Sequence, residues 1–357
     1  MEPLNGRVTS PAPREVWQAL VEQDEKALIF QTPVWTDALC STGQYQDASR
    51  MYELRGGRTL VLPLAKTRSG LPALVSQASM PDGWGMGGLI SSGAIEPQDV
   101  ELVLTDLAST PARRTTIRPN PLTAASWLAA KPAGFSAAPH LTHILNLEGG
   151  FDQVWSHTFS TATRTNIRKA EKADLEIECR AGGDLLPVFY ATYMAWIDQR
   201  ARERRMPLPV ARWLGRTREP MLKFQQAALA LGDAFRVWVA RLDGQVVAVD
   251  ILLIDRCHAF YWRSASIKKL AGPVRANDLL QIHMIRDACS AGCRYYHMGE
   301  SGGVDSLMHF KKRFGAEEFP FPAFTREWFP IAKSKHTLHS LQQHIESKIM
   351  KRLSTKS

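Results

Sequence analysis

The 357-residue sequence has little of what builds a disulfide-bonded scaffold, a metal centre or a membrane span. It contains five cysteines, an odd number without paired spacing, and no cysteine–histidine grouping has the spacing of a zinc site. It has no run of 18 apolar residues, and its first residues lack the apolar segment of a signal peptide. The sequence therefore predicts a cytoplasmic protein without a structural metal and without a transmembrane segment.

The composition, 45% hydrophobic and 22% charged, is that of an ordinary globular protein, and the length predicts two domains. A formal charge of +9 arises from 44 basic and 35 acidic residues. This balance suits a polyanionic partner such as RNA, a nucleotide-linked substrate or an anionic membrane surface. Residues 331–357 hold six basic residues and one acidic residue, so this short segment supplies five of the nine charges.

The pattern of residues 1–147 predicts a first α/β unit. Apolar spacing indicates helices over residues 14–25, 33–42 and 97–108, and strands over residues 48–54, 58–66, 114–118 and 142–147. A glycine-rich loop at residues 80–90 carries Trp84 in its middle. This tryptophan is either a packing anchor or a platform that binds a substrate.

The pattern of residues 148–330 predicts a second α/β unit. Its helices are expected over residues 151–173, 185–205, 219–231, 275–291 and 304–314, and its strands over residues 175–179, 235–241, 245–254, 257–264 and 294–298. Asp243-Gly244 is a hairpin turn between two of these strands. Residues 331–357 predict a basic amphipathic helix, which either packs on the first unit or lies on an acidic partner.

Residues 293–315 combine a strand, a glycine-rich turn and a helix, and they are the stretch most suggestive of a binding site. Backbone N–H groups of the turn at Gly302 and Gly303, together with the helix dipole, could hold a phosphate or a carboxylate. Lys311, Lys312 and Arg313 follow on the helix and add positive charge. The alternative is that the glycines only allow the chain to turn.

A second basic group closes the predicted helix over residues 185–205. Its members are Arg200, Arg202, Arg204 and Arg205. Closely spaced arginines can neutralise phosphates, so this group is the strongest candidate for a contact with RNA. The alternative is an ordinary solvated helix end, and no aromatic-basic motif elsewhere in the sequence supports RNA binding independently.

Both units follow one order of elements, helix–helix–meander–helix–strand, and four segments carry a resemblance at the residue level. The segments are WGMGGL at 84–89, TRTNIRKAEKADLEIE at 163–178, FYWRSAS at 260–266 and YYHMGESGG…FKKRFGA ending at 316. The order resembles the GNAT acyltransferase fold, and the segments resemble the Fem-type (FemAB-like) aminoacyltransferases. The resemblance implies two tandem GNAT-like domains, over residues 1–147 and 148–330, with mixed central sheets and flanking helices. It implies catalysis in the second domain, the first being degenerate.

Fem-type enzymes move an aminoacyl group from aminoacyl-tRNA to an amine, commonly in the stem peptide of a cell-wall precursor. The resemblance implies that Phe310 and Lys311 lie where donor and acceptor meet. It also implies that Arg164, with Arg168 one helical turn later, contacts substrate phosphates. With tRNA as the donor, the candidate contacts are Arg200, Arg202, Arg204, Arg205, Lys312 and Arg313.

The chemistry of such a reaction suits the residue types present. Aminolysis of an ester needs a neutral amine, a donor for the tetrahedral oxyanion and stabilisation of the leaving hydroxyl, and Lys311 offers positive charge for this. The proton that the amine loses late could pass to a carboxylate, for which Asp250 and Glu300 are the candidates. For Asp250, in the middle of an apolar strand, the alternative is a buried ion pair with an arginine such as Arg263. Tyr261 and Arg263 are further candidates for substrate binding.

Two departures from related patterns bear on the donor and the acceptor. Acetyl-CoA-dependent members carry Gln/Arg-x-x-Gly-x-Gly/Ala before the helix that follows the meander. Here Pro273 and Val274 follow Gly272, where an accessible amide and a small residue are needed, which argues against coenzyme A. The charged heptads of an inserted coiled-coil arm are also missing, which favours a small-molecule or natural-product amine over a cell-wall acceptor.

Three functions follow from the sequence. The preferred one is an N-aminoacyltransferase that uses aminoacyl-tRNA as donor, needs no bound cofactor, and acts on the amine of a small-molecule or cell-envelope precursor. Its acceptor could be nucleotide-linked, and a peripheral contact with a membrane stays open. The alternatives are an acyl-CoA-dependent N-acyltransferase of the same superfamily and a non-catalytic module that binds a nucleotide or RNA.

Overall fold

The computed structural model describes residues 6–69 and 74–327. Its helices are α1 (Arg14–Gln23), α2 (Pro33–Ser41), α3 (Pro97–Ala108), α4 (Ala124–Ala129), α5 (Gly150–Gln153), α6 (Thr161–Ala170), α7 (Leu186–Glu203), α8 (Leu208–Arg218), α9 (Met221–Leu231), α10 (Lys268–Ala271), α11 (Ala276–Ser290) and α12 (Asp305–Arg313). Its strands are β1 (Gly6–Thr9), β2 (Tyr45–Asp47), β3 (Arg50–Leu54), β4 (Thr59–Leu62), β5 (Ala65–Thr67), β6 (Ser76–Ser79), β7 (Ile90–Ser91), β8 (Arg114–Ile117), β9 (Ser136–Asn146), β10 (Leu175–Ala181), β11 (Phe235–Leu242), β12 (Gln245–Asp255), β13 (His258–Ser266), β14 (Tyr295–Glu300) and β15 (Glu317–Glu327). The helix predicted over residues 331–357 lies outside the described residues. Within the described ranges, no helix has the length and apolar character needed to cross a bilayer.

One large mixed sheet organises the molecule. Its strand order is β10-β11-β12-β13-β14-β9-β15-β8-β6-β5-β2, and a smaller sheet has the order β1-β3-β4-β7. Within the large sheet, β13 pairs with β14 and β6 with β8 in parallel, whereas the other neighbouring pairs are antiparallel. Helices pack on both faces of its second half. The structure therefore confirms the predicted α/β class with a mixed central sheet.

The predicted meander forms from β11, β12 and β13, whose side chains are mainly β-branched and apolar. Asp243 and Gly244 join the first two strands with φ angles of 50° and 74°, as a mirror-image hairpin turn requires. Both faces of β12 are buried, with Ala248 in the core under α11 and Val249 in the core against α7 and α9. Successive side chains of β12 therefore lie alternately in two separate cores, one on each face of the sheet.

A gap opens between β13 and β14. The two strands pair only where residues 258–260 face residues 295–297. In the described part of the chain they pair no further, although β13 continues to Ser266 and β14 to Glu300. In open α/β sheets, substrates bind at the carboxyl ends of strands where neighbours part, so this gap is the first place to look for a site.

A bulge in β13 stands beside the gap. Tyr261 pairs with Leu252 of β12 and Arg263 pairs with Ile251, so Trp262 is an extra residue. A bulge leaves its extra residue outside the ladder and changes the face to which later side chains point. Trp262 and Arg263 consequently both point to the α7 and α9 side.

The large sheet is continuous across the predicted boundary between residues 147 and 148. β9, from the first predicted unit, lies between β14 and β15 of the second unit, and β15 also pairs with β8. The division at that boundary stays a prediction. The strands on its two sides form one sheet.

The helix predicted over residues 151–173 is interrupted. α5 continues into a π-helix over Val154–Thr158, the chain leaves the helical conformation at Phe159, and α6 starts afresh. Ser160 caps α6, because its Oγ accepts a hydrogen bond of 3.1 Å from the N–H of Thr163. The serine that reads as an ordinary helix residue in the sequence is therefore a start signal.

Candidate functional site

Lys311 lies beside the gap, at the end of β14. Its side chain is buried, with 4% of the residue exposed, and its Nζ donates to the carbonyls of Gly299 at 2.7 Å and Glu300 at 2.9 Å. Burial lowers the pKa of Lys311 to about 8. An ammonium has three N–H groups, and these two bonds use two of them. The structure thus holds a desolvated cation at the carboxyl end of β14.

Glu300 is held by side chains from the first half of the chain. Its Oε1 accepts from the guanidinium of Arg118, which follows β8, and its Oε2 lies 2.8 Å from Nδ1 of His140 on β9. Arg118 also reaches Asp82, with Nη1 at 3.3 Å from Oδ1. Burial, and then the neighbouring Arg118, lower the pKa of His140. Glu300 is therefore the centre of an ion-pair network that joins the two halves.

A second group of charges, the Lys223 cluster, lies on the α7 and α9 side and consists of Glu219, Lys223 and Arg263. Nζ of Lys223 donates to Oε2 of Glu219 at 2.6 Å and to the carbonyl of Gly83 at 2.7 Å. Arg263 donates to Oε1 of Glu219 at 2.9 Å and to the same carbonyl at 2.5 Å. Burial, followed by Arg263, lowers the pKa of Lys223 to about 7, although Glu219 acts in the opposite direction. This cluster fixes the glycine-rich loop against α9 and β13.

Trp84 belongs to that loop, and its side chain is buried in the core. Its carbonyl accepts a hydrogen bond of 3.0 Å from Nε1 of Trp35, and the two rings meet edge to face at 5.5 Å. Nζ of Lys223 lies 5.3 Å from the ring centroid of Trp84, a cation–π distance. Of the two alternatives for Trp84, this geometry favours the packing anchor.

Asp250 lies on the α11 side, one strand away from the gap. It is fully buried, and neither carboxylate oxygen makes a hydrogen bond of standard geometry with a described residue, although the hydroxyls of Tyr261 and Ser264 are close by. Burial raises the pKa of Asp250 to about 7, and the two hydroxyls partly offset this. The ion pair with Arg263 that the sequence left open is wrong, because the bulge at Trp262 turns Arg263 to the opposite face.

Further polar side chains surround Asp250 under the gap. Tyr261 interacts with Gln281 of α11, and the hydroxyl of Tyr296 on β14 donates to Oε1 of Gln281 at 2.9 Å. Nε2 of Gln281 is buried without a partner among the described residues. The strands that border the gap thus share a buried polar cluster with α11, and sequence reasoning found only Asp250 and Tyr261 of it.

The two arginines predicted to meet phosphates have different surroundings. Nη1 of Arg164 donates to three carbonyls at the end of the π-helix, those of Trp155 at 3.1 Å, Ser156 at 3.1 Å and Phe159 at 2.9 Å. This arginine closes a helix end. Arg168 is exposed, and its phosphate contact stays a prediction.

The residues predicted to bind tRNA do not share one environment. Those at the end of α7 are exposed: Arg200, Arg202, Arg204 and Arg205. Lys312 is also exposed and pairs with Glu318 at 2.7 Å. Arg313 instead forms a mostly buried ion pair with Asp278 of α11, and its guanidinium lies 4.9 Å from the ring of Phe310. Arg313 therefore ties α12 to α11.

The predicted anion-binding turn is present and open. Gly302 and Gly303 are exposed with φ angles of 55° and 73°, and a Cβ atom on either would meet nothing within 4 Å. Phe310 is half-buried beside Phe314, with ring centroids 5.2 Å apart. The open glycine turn leaves room for a ligand at the start of α12.

Several amides of the loop before α11 form hydrogen bonds to carbonyls of the same loop. The N–H groups of Ala271, Gly272 and Arg275 donate to the carbonyls of Ile267, Lys268 and Gly272. Arg275 has a left-handed conformation, with φ of 57°. Pro273 has no N–H, and the amide of Gly272, the glycine that this chain shares with the coenzyme A pattern, is bonded within the loop.

A surface hollow lies apart from these groups, between α4 and the strands β14 and β15. Apolar side chains such as Leu122, Leu128 and Phe319 form much of its lining, and Lys26 is its one titratable cation. Neither Lys311 nor Asp250 lines it. The arrangement gives no reason to place chemistry there.

Comparison with known proteins identifies the fold. Residues 158–312, which include Asp250 and Lys311, match the family model described as an acetyltransferase (GNAT) domain. The crystal structure of FemX superposes with a TM-score of 0.63 at 14% identity, covering 90% of this chain and 97% of FemX. A Bacteroides thetaiotaomicron protein of unknown function gives a TM-score of 0.55 at 11% identity, covering 91% and 99% of the two chains. No curated protein matches the sequence.

A further similar structure is a C-terminal domain from Agrobacterium fabrum, described as that of a lysylphosphatidylglycerol synthetase. Its TM-score is 0.51 at 13% identity, with 87% of this chain and 92% of that domain covered. At such identities, the similarity shows the fold. The chain has the fold of FemX over nearly its whole length, which confirms the predicted resemblance, and a GNAT-type domain lies in its second half. The GNAT domain supports acyl transfer as the class of reaction.

Proposed function

We propose that this protein is an aminoacyltransferase that moves an aminoacyl group from aminoacyl-tRNA to the primary amine of a small-molecule or cell-envelope precursor. The observation that carries the proposal is the placement of Lys311. Its ammonium is buried beside the gap, fixed by two carbonyls of β14, and has a further N–H to donate.

Lys311 would act on the charge that develops during transfer. The amine nitrogen attacks the ester carbonyl, an oxyanion forms, and the bond from the carbonyl carbon to the ribose 3′-oxygen breaks. A desolvated cation stabilises the oxyanion or the leaving oxygen more strongly than one in water, because the local dielectric is low. The proton lost by the amine ends on the leaving oxygen.

Asp250 is the better of the two predicted carboxylates for relaying that proton. Its pKa of about 7 suits a group that takes up and releases a proton near neutral pH. Glu300 is bound by Arg118 and His140, an arrangement that suits holding the two halves of the sheet together. Lys311 lies at the gap, and Tyr261 and Tyr296 on its bordering strands connect it to the buried polar cluster that contains Asp250.

Two observations support aminoacyl-tRNA over coenzyme A as donor. In the loop before α11, the amide of Gly272 donates to the carbonyl of Lys268, and Pro273 has no N–H to offer a pyrophosphate. In addition, FemX and a domain described as that of a lysylphosphatidylglycerol synthetase share the fold, and the latter name denotes transfer of an amino acid. Exposed basic residues at the end of α7 could meet the phosphates of the tRNA.

An acyl-CoA-dependent N-acyltransferase is the second candidate. It is favoured by the match of residues 158–312 to a model described as an acetyltransferase domain. Parallel strands that part at their carboxyl ends would also accommodate an extended acyl carrier.

The test compares both donors with the same acceptors. The protein is incubated with a panel of small primary amines and either aminoacyl-tRNA carrying a labelled amino acid or labelled acetyl-CoA. We expect labelled amide from the tRNA donor only, and its formation should stop when the tRNA is digested with RNase beforehand. Product from acetyl-CoA, together with a rise in melting temperature on adding it, would reject the proposal in favour of the second candidate.

A further inference from the structure

α8 carries an apolar stripe that faces solvent. The stripe consists of Met206, Val210, Trp213 and Leu214, which follow one another at helical spacing on one face of α8 and the turn before it. Their exposed fractions are 37%, 47%, 64% and 45%. Four large apolar side chains on one exposed helix face form a patch of the kind that marks an interaction surface.

The opposite face of α8 is fixed against α7. Ala211 and Gly215 are buried there, and a Cβ atom on Gly215 would lie 3.2 Å from Cγ1 of Ile197. Arg212 donates to both carboxylate oxygens of Asp198 on α7, from Nε to Oδ1 at 2.8 Å and from Nη2 to Oδ2 at 2.6 Å. Small residues on one side and large apolar residues on the other therefore set the orientation of α8. The stripe is its outer face.

Arginines border the stripe. At 100° per residue, Arg216 lies on one side of the stripe and Arg218 on the other. Arg204 and Arg205, predicted above as tRNA contacts, precede it, and all four are exposed. The sequence from residue 204 to residue 218 contains five arginines and no acidic residue. Arg212 pairs with Asp198, whereas the other four form no ion pair with a described residue, so the surface combines exposed apolar groups with uncompensated positive charge.

We propose that this face of α8 docks on an anionic lipid membrane. A helix that lies in a bilayer interface presents an apolar stripe with a tryptophan to the lipid and arginines to the headgroups. Trp213 and Leu214 would enter the interface, while Arg216 and Arg218 would meet lipid phosphates on either side. The proposal goes beyond aminoacyl transfer and does not depend on it.

Charge and polarity favour a membrane over the other candidate partners of this face of α8. An RNA would bind the arginines but would leave Val210, Leu214 and Met206 in contact with water. A second copy of the same face would place arginines against arginines. Residues 331–357 carry six basic residues and one acidic residue, so they too would meet charge of the same sign. An anionic lipid surface satisfies both the apolar and the basic side chains.

The docking surface is connected to the Lys223 cluster. α8 ends at Arg218, and the next residue, Glu219, holds both Lys223 and Arg263. A protein docked through α8 would therefore have that cluster, and the glycine-rich loop that it fixes, close to the membrane surface.

The test is flotation of the full-length protein with vesicles of phosphatidylcholine alone or with one quarter phosphatidylglycerol. We expect binding to the anionic vesicles only. Trp213→Gln/Leu214→Gln should weaken it at least tenfold, because the apolar contact is lost. Arg216→Gln/Arg218→Gln should weaken binding roughly 30-fold at low salt. Each basic side chain contributes about 1 kcal/mol near such a surface, and two are removed. Leu229→Gln is the matched control, because Leu229 is 80% exposed but lies on α9, and it should bind as the wild type does.

Three results would overturn the proposal. The first is equal vesicle binding by the wild type and both double variants. The second is tRNA affinity that falls in these variants while vesicle binding does not, which would assign the face to RNA. The third is a wild-type dimer in sedimentation equilibrium that Trp213→Gln/Leu214→Gln abolishes. Transfer to a soluble amine should be the same in all variants, so failure of the docking proposal is distinguishable from failure of the proposed reaction.

Discussion

Lys311 and Lys312 are adjacent in the sequence and have opposite environments. Lys311 is buried against two carbonyls of β14, whereas Lys312 is exposed and pairs with Glu318. The sequence resemblance pointed to Lys311 through its neighbour Phe310, and the structure supplies the physical difference. Burial makes Lys311 a strong electrostatic group, because water does not screen it.

The charge on Lys311 predicts a pH dependence of the rate. Its pKa is about 8, below the ordinary value of 10.5, so the cation is lost as pH rises through 8. We expect kcat/KM, measured from pH 6 to pH 10 with a fixed acceptor amine, to fall above about pH 8. In Lys311→Arg the guanidinium keeps its charge, so that fall should disappear. The same fall in both proteins would show that another group causes it.

Asp250 predicts a pH dependence of stability. Its pKa is 3.8 in an ordinary setting and about 7 in the folded protein, so between these values the folded state binds more protons than the unfolded state. The free energy of unfolding should therefore fall as pH rises from 4 to 7, by at most about 1.4 kcal/mol per pH unit from this group. Urea unfolding should show that Asp250→Asn removes this contribution.

The control for that experiment is Asp184→Asn, because Asp184 is exposed. Its pH profile should match that of the wild type. If Asp250→Asn also kept the wild-type slope, Asp250 would not be a buried group that gains its proton on folding.

Several residues of the site could not be found from the sequence. Glu219 and Lys223 have the i, i+4 spacing of an ordinary pair on a solvated helix, and only the fold buries them against Trp84 and Trp262. His140 gave no signal, because its partner Glu300 is 160 residues away. Pairing between distant strands decides such contacts, and a single sequence does not encode it in a readable pattern.

At the scale of elements, α12 is held at its C-terminus by a close approach to the π-helix. Gly315 has a φ of 80°, and a Cβ atom there would lie 2.2 Å from Cγ2 and 2.9 Å from the carbonyl oxygen of Thr158. The hydroxyl of Thr163 donates to the carbonyl of Arg313 at 2.7 Å. These contacts set the position of α12 and hence of Lys311.

Gly315→Ala should therefore destabilise the protein by more than its backbone strain alone. We expect a loss of about 2–4 kcal/mol in the free energy of unfolding, of which roughly 1 kcal/mol is the left-handed conformation and the rest is the clash with Thr158. Gly303→Ala is the control, since its φ is 73° but its Cβ would meet nothing within 4 Å. Equal losses in chemical denaturation would mean that the close approach does not hold α12.

Elements were predictable where local patterns decide them. The central strands were expected over residues 235–241, 245–254 and 257–264 and are observed within one or two residues of those bounds. β1, β2, β6, β7 and β15 were not predicted, and β15 shows why: it contains Pro320 and Pro322, and prolines argue against a strand within a sheet. It nevertheless pairs on both sides, with β9 from Glu317 to Thr325 and with β8 from Phe324 to Glu327.

At the scale of the whole molecule, the sequence indicated a repeated order of elements but not the way in which the two halves join. The hydrophobic pattern reports which residues are strands, and it does not report which distant strands are neighbours. Here β9 is inserted between β14 and β15, and Arg118 and His140 reach across to Glu300. The site consequently draws on residues from both halves.

That arrangement predicts that the second half does not fold alone. Residues 148–357 expressed without residues 1–147 would lack β9, so β14 and β15 would lose a shared neighbour in the centre of the sheet. We expect this fragment to aggregate or to unfold without a cooperative transition, and co-expression with residues 1–147 to restore a soluble complex. Cooperative unfolding of the fragment by itself, followed by circular dichroism, would contradict the shared sheet.

The central claim is that Lys311 stabilises charge during aminoacyl transfer, and steady-state kinetics with labelled aminoacyl-tRNA test it most directly. Lys311→Met keeps the volume of the side chain and removes its charge, so kcat should fall by about 10²-fold or more in a variant that circular dichroism shows to be folded. Lys312→Met, which changes an exposed residue, should raise KM for the tRNA by no more than several-fold and leave kcat unchanged. Transfer by Lys311→Met at the wild-type kcat would contradict the account.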